Sequence, residues 1–213
     1  MRPLKAGSVF GVVAIVVAIA ADLRFLFVDP GSIPNWILTA FESFRTQLAL
    51  AAYLFLGILA ALRARPTHQD PDASYRALLV RDCALAATVV AVMVGVALFV
   101  ITASRATFLA DDERAYARAA APNILAYNEK VAGRLSNPPP LPTAGEIEGN
   151  LQPPVLNDLG HSMGNIVLGA LVLGVAGAAV GALRGSFGSG RNPEGQGASS
   201  AQKEGASEKR PEG

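Results

Sequence analysis

The sequence is poor in cysteine and histidine, the residues that form metal sites and many catalytic sites. It contains one cysteine, Cys83, and two histidines, His68 and His161, in 213 residues. A single cysteine excludes a disulfide within the chain and a multi-cysteine metal site, and the two histidines are far apart along the chain. We therefore expect neither a metal ion nor a cofactor.

Motifs that position catalytic groups are also missing. No H-E-x-x-H, G-x-S-x-G or phosphate-loop spacing occurs. The adjacent acids Asp111, Asp112 and Glu113 would point in different directions around a helix, which favours a solvated acidic patch over a weak cation site. The sequence therefore predicts no catalytic residues and a protein that is not an enzyme.

Charge is scarce as well. Charged residues make up 16% of the chain, against roughly 25% in soluble domains. The net charge of +1 leaves no basic surface for a nucleic acid.

What the sequence has instead is apolar residues, at 51%, gathered into blocks of about 20, enough for a helix to cross the ~30 Å hydrocarbon core of a bilayer. The prediction is an all-α membrane protein with about four transmembrane helices. The spans lie in residues 1–28, 46–62, 83–103 and 163–184. A signal peptide is the alternative for residues 1–20, because Arg2 and Lys5 precede the apolar run and Ala18 and Ala20 form an A-x-A cleavage pattern.

Arginine and lysine in short flanking segments predict the orientation of the spans. Eight of them fall on one side: Arg2, Lys5, Arg63, Arg65, Arg76, Arg81, Arg184 and Arg191. We therefore expect both termini, and the loop 63–82, on the cytoplasmic side. Fourteen arginines against four lysines suggest a bacterial protein, and so the bacterial cytoplasmic membrane. Residues 185–213 have almost nothing apolar to bury, which predicts a disordered tail.

Residues 29–45 show the pattern of an amphipathic helix lying in the outer interface of the membrane. Apolar residues recur there at three- and four-residue spacing, and we expect Trp36, Ile37, Phe41 and Phe44 to anchor it at headgroup depth. A docking surface for a partner helix is the alternative interpretation.

Residues 104–162 form the one extramembrane segment large enough to carry specificity, and we expect them to be partly helical. Pro122 should kink or break the helix. Four prolines between positions 138 and 142 predict an extended polyproline stretch. The apolar stripe Ile124, Tyr127, Val131 and Leu135 needs cover from the membrane, from this loop or from another chain. Packing within the protein or its oligomer is the favoured cover.

The fourth span carries small residues at four-residue spacing, a pattern that lets another helix approach closely. The predicted helix-packing residues are Ala170, Gly174, Gly177, Ala178, Gly181 and Gly185. The pattern does not identify the mate, which is another span or a second copy of the chain.

Asp22 and Arg24 are the ionisable residues that lie well inside an apolar run, where a charge is costly. One interpretation places both at the interface, with Arg24 extending outwards along its stem. The other makes them an intramembrane polar site, in which Asp22 faces the bundle and pairs with a polar group, with an ion or proton path as one use of that pair.

These patterns lead to three functional hypotheses. The first is a non-enzymatic accessory, scaffold or oligomeric subunit of a bacterial membrane complex, which acts through helix packing with itself or with another membrane protein. The second is a small transporter, channel or hole-forming protein that uses Asp22. The third is a membrane sensor with residues 104–162 as its outside module.

Overall fold

The computed structural model describes residues 2–65 and 74–188, apart from the side chains of residues 158, 161, 162 and 188. Within these ranges the chain is helical and has no strand. Its elements are α1 (Pro3–Asp22), a 3₁₀ turn (Arg24–Leu26), α2 (Asn35–Arg63), α3 (Tyr75–Ala106), α4 (Ala110–Ala132), α5 (Ala144–Asn150) and α6 (Asp158–Gly188). Residues 66–73 of the loop 63–82, which include His68, and the predicted tail beyond residue 188 lie outside the described residues.

Four helices are long and apolar enough to cross a membrane: α1, α2, α3 and the part of α6 from Met163 to Phe187. The prediction of an all-α chain with four such helices is confirmed. These helices form an up-and-down bundle with α3 at its centre, packed against the other three. Gly7 and Gly11 of α1 contact α3 at Ala86 and Met93, so α1 and α3 run in the same direction.

The helix lengths define two ends of this bundle. The 20 residues of α1 make a helix of about 30 Å, the thickness of the hydrocarbon core. With 29 residues in α2 and 32 in α3, those helices reach about 44 and 48 Å and project beyond α1. We call the end at which the chain enters α1 the termini end. The opposite end, at Asp22, carries a network of paired charged side chains, and we call it the network end.

The expected interfacial helix and second span are one continuous helix, α2. Residues 35–56 contain neither glycine nor proline, so nothing in the sequence breaks the helix where it becomes apolar. Trp36 and Phe44 are each 58% exposed. Leu38 and Thr39, on another face of the same segment, are buried against the rest of the protein.

The helix α4 differs from the expectation at Pro122. The break in the chain falls at residues 107–109, between α3 and α4, and α4 continues through Pro122. A proline removes one backbone donor from the helix interior. Next to it, the Asn123 side chain donates hydrogen bonds to the carbonyls of Ala119 and Pro30, which fastens this part of α4 to the loop before α2.

A second hydrophobic core lies beyond the network end, separate from the core of the bundle. We call the surrounding region, residues 24–44 and 107–157, the cap. Its buried residues come from the 3₁₀ turn, the start of α2, α4 and α5: Phe25, Leu38, Tyr116, Ala117, Ala120, Ala121, Ile124, Ile147 and Leu151. The helix α5 begins with a capping box, in which Thr143 and Glu146 bond each other's backbone N–H groups.

Candidate functional site

Charged side chains from five elements gather where the bundle meets the cap. They are Asp22, Arg24, Glu42, Arg45, Arg105 and Glu113, which we call the network, and Tyr116 joins them. Three guanidinium groups face three carboxylates, so the network is neutral when all six are ionised. It connects α1, α2 and α3 to α4.

The innermost pair of the network is Arg24 and Glu42. Two parallel hydrogen bonds of 2.6 Å run from the Arg24 guanidinium to the two carboxylate oxygens of Glu42. The Tyr116 hydroxyl donates to Glu42 Oε1 at 2.7 Å, and the Arg24 guanidinium lies 5.4 Å from the centre of the Tyr116 ring. Arg24 is 2% exposed, so its side chain is enclosed by protein and does not extend outwards as the interfacial interpretation requires.

Arg105 makes the second set of contacts and bridges two elements. Its Nη1 donates to Asp22 Oδ1 at 3.1 Å. Its Nε and Nη2 donate to the two carboxylate oxygens of Glu113, the first at 3.0 Å. Asp22 therefore pairs with a cation of α3, and the last turn of α3 is joined through Arg105 to the first turn of α4.

Burial and hydrogen bonding raise the pKa of Tyr116, because desolvation and the bond to Glu42 both favour the neutral phenol. The hydroxyl is thus a permanent donor to Glu42 at physiological pH.

The network is costly to break. Each buried ion loses several kcal/mol of hydration, which the pairing offsets only when the geometry is good and the hydrogen bonds are satisfied. Removing one partner of such a pair typically costs about 3–5 kcal/mol. The bidentate contacts of Arg24 and Arg105 meet those requirements. The network therefore fixes the position of the cap on the bundle.

The predicted helix-packing residues of α6 lie against α3. A Cβ atom added to Gly177 would stand 2.6 Å from the Cys83 carbonyl oxygen, and one added to Gly181 would stand 2.6 Å from the Val80 Cα. Added atoms at Gly174 and Gly185 would meet α3 side chains at 2.9 and 2.8 Å. Ala170 packs beside the same contact, and Ala178 is partly buried. This face of α6 is therefore covered within the chain.

Another arginine closes the termini end. Arg184 Nη1 donates to the carbonyl oxygens of Ala61 and Ala64, each at 2.9 Å, at the C-terminus of α2, where carbonyls lack helical partners. The Cys83 thiol, which is fully buried, also bonds the Ala61 carbonyl at 3.2 Å. Arg184 thus supplies hydrogen-bond donors to the last carbonyls of a neighbouring helix.

The proline-rich stretch covers part of the apolar stripe of α4. Pro139, Pro140, Leu141 and Pro142 line an open groove of about 330 Å³ together with stripe residues of α4: Tyr127, Val131 and Leu135. The stripe was expected to be covered by the membrane, by the same loop or by another chain. This part of it is covered by the same loop. The groove remains accessible, since Leu135 is 51% exposed.

Five residues of this site escaped the sequence reasoning: Glu42, Arg45, Arg105, Glu113 and Tyr116. The acidic-patch interpretation is wrong for Glu113, which is 1% exposed, whereas the Asp111 side chain is 96% exposed. A signal was present, because Glu113 shares one helix face with Tyr116, Ala117 and Ala120, at spacings of three, four and seven residues.

The predicted interfacial anchors Trp36, Ile37, Phe41 and Phe44 are all exposed on the surface. Among the described residues, no three His, Cys, Asp or Glu side chains lie close enough together to hold a metal ion. Comparisons with protein-family models, with curated proteins and with solved structures find no match for this chain.

Proposed function

We propose that the chain is a non-enzymatic accessory or scaffold subunit of a bacterial membrane complex that holds its cap in a fixed position at the outer surface of the membrane. The observation that carries this proposal is the network. Its bidentate pair between Arg105 and Glu113 joins α3 to the cap helix α4, and the pair between Arg24 and Glu42 joins the turn after α1 to α2. A rigid mount of this kind supports a docking role, because a surface held in one position loses little entropy when a partner binds.

The partner surface is proposed on the cap. Because α3 covers the small-residue face of α6, that face is not free for a second copy of the chain. The groove along α4 is apolar and open, and Val131, Leu135 and Leu141 are each at least 39% exposed. Exposed apolar surface away from lipid is typical of protein interaction sites.

Site-specific photo-crosslinking in native membranes tests this proposal. Probes replace Leu135 and Leu141 in the groove, and control probes replace Val175 and Leu183, which are exposed on the outward face of α6. The groove probes should yield one discrete crosslinked protein and the α6 probes should yield lipid adducts or none. Absence of protein crosslinks from the groove, with a monomer in native mass measurements, would contradict the proposal.

A sensor is the second candidate, favoured by the contacts of Arg105 with both Asp22 and Glu113. In a sensor, loosening the cap would alter the cytoplasmic end. The substitution Glu113→Gln should then change the thiol-labelling rate of a Tyr75→Cys variant several-fold, while Asp111→Asn, at an exposed position, should not. Equal labelling rates in both backgrounds would remove the support for a sensor.

Transport through Asp22 is less supported, because Arg105 already pairs with this carboxylate. The substitution Asp22→Asn distinguishes this alternative: it should abolish any ion flux in proteoliposomes if Asp22 carries it, and leave flux absent or unchanged otherwise.

A further inference from the structure

An apolar groove runs along the surface between α1 and α2 at the network end. It has a volume of about 220 Å³ and is lined by Val17, Ala20, Ala21, Phe41, Arg45, Leu48 and Ala49. The alanines leave space that larger side chains would fill, and one arginine stands among otherwise apolar walls.

Arg45 is the network member with unused hydrogen-bonding capacity. Its Nη1 is buried and has no hydrogen-bond partner among the described residues. Arg45 forms an ion pair with Glu42, whose Oε2 lies 3.8 Å from Nη1, beyond hydrogen-bonding distance. Both oxygens of Glu42 already accept bonds from Arg24, and one of them also accepts from Tyr116. Nη1 is enclosed beside Glu42, but the Arg45 side chain is 22% exposed and lines the groove, so its charge is open to an anionic acceptor from outside the chain.

The depth of Arg45 identifies the chemistry of that acceptor. Arg45 and Arg63 are separated by 18 residues of the same helix, or about 27 Å, close to the thickness of the hydrocarbon core. With Arg63 at the termini end, Arg45 stands at the level of the headgroups of the opposite leaflet. The groove beside it opens among residues of the two spans, where acyl chains surround the protein.

We propose that this groove is a phospholipid-binding site, in which the phosphate accepts hydrogen bonds from Arg45 and one acyl chain lies along Ala20 and Ala49. The phosphate is the anionic acceptor that an arginine fork matches best. The apolar lining suits the chain and offers no partner for a polar ligand.

Native mass spectrometry of the full chain in mild detergent, titrated with phosphatidylglycerol, tests the site. The wild type should retain one lipid. The substitution Arg45→Gln should lower the retained fraction about tenfold, because a charge-assisted hydrogen bond is lost. Ala20→Phe fills the groove at an exposed position, leaves the network intact and should also lower retention. The control Arg114→Gln removes an equal charge from an exposed side chain of α4 and should leave retention unchanged.

Each outcome decides the proposal. Loss of lipid with both Arg45→Gln and Ala20→Phe, but not with Arg114→Gln, supports it. If Arg45→Gln does not fold, Ala20→Phe alone decides. Unchanged retention in Ala20→Phe overturns the proposal. Competition by millimolar inorganic phosphate that empties the site would assign Arg45 to a free anion, and would also overturn it.

Discussion

The two ends of the bundle are held together by opposite means. At the network end, long charged side chains meet in two bidentate pairs, Arg24 of the 3₁₀ turn with Glu42 of α2 and Arg105 of α3 with Glu113 of α4. At the termini end, glycines replace side chains on the face of α6 that contacts α3, and the backbones approach at Gly177 and Gly181. The first end depends on charge pairing, whereas the second depends on the absence of Cβ atoms.

The difference shows where ion pairs and where close backbone contacts are useful. Small residues allow dense packing inside lipid, where apolar side chains gain nothing from leaving water. Ion pairs suit a junction between the bundle and a cap near water, because their geometry fixes orientation. The cap has its own core and needs a directional joint. The spans α3 and α6 need only close contact.

The largest expected effect comes from breaking the innermost ion pair. Arg24→Met leaves the Glu42 carboxylate buried with no full partner, so the free energy of unfolding should fall by about 3–5 kcal/mol. Equilibrium unfolding in mild detergent measures this. The double variant Arg24→Met/Glu42→Gln removes both charges and should recover much of the loss. If the single and double variants are equally destabilised, the pair does not act as a coupled unit.

At the termini end, the matched test is a single methyl group. A Cβ on Gly181 would stand 2.6 Å from the Val80 Cα, whereas a Cβ on Gly169 of the same helix meets nothing within 4 Å. Gly181→Ala should force α6 away from α3 and cost about 1–3 kcal/mol. Gly169→Ala should be neutral or slightly stabilising, because alanine has the higher helix propensity. Equal effects of the two substitutions in the same unfolding measurement would contradict the close contact.

These two ends also differ in how far the sequence predicted them. The small-residue spacing of α6 is visible within one helix, so a packing face could be predicted from the sequence. Its mate could not, because any of three spans or a second copy of the chain could supply it. The network combines residues that are distant in the chain, such as Asp22 with Arg105. Reading each segment alone left Arg24 between an interfacial position and an intramembrane polar site, and placed Glu113 in water. Periodicity within a segment finds its buried face, but the pairing of charges requires the fold.

The hydrogen bonds from Arg184 to the C-terminus of α2 offer a smaller test. Arg184→Met removes the donor that two carbonyls share, those of Ala61 and Ala64. We expect a loss of about 1–2 kcal/mol, since an unsatisfied buried acceptor costs about 1–3 kcal/mol and water reaches a helix end more easily than a core. Arg184→Lys keeps the positive charge near the last carbonyls and should retain part of the stability. Amide hydrogen exchange should rise in the last turn of α2 and stay unchanged at the network end.

The smallest effect should come from Asp82, at the termini end. Asp82 is 2% exposed, as fully buried as Glu113, but its bonding differs. Its Oδ1 accepts from Arg81, whose side chain is 58% exposed, and its Oδ2 is buried without a hydrogen-bond partner among the described residues. Surface-exposed pairing contributes little, so the carboxylate keeps its desolvation cost without full compensation.

Asp82→Asn removes the charge while keeping the size and one acceptor oxygen. We expect the free energy of unfolding to change by less than about 1 kcal/mol, towards greater stability. The same isosteric change at the network end, Glu113→Gln, weakens two bonds to Arg105 and should cost several times as much. Both are measured by the same denaturation in detergent. A loss of 3 kcal/mol or more for Asp82→Asn, of the order seen for a broken buried pair, would mean that Asp82 also holds a partner. Both ends of the bundle would then depend on buried charge pairs.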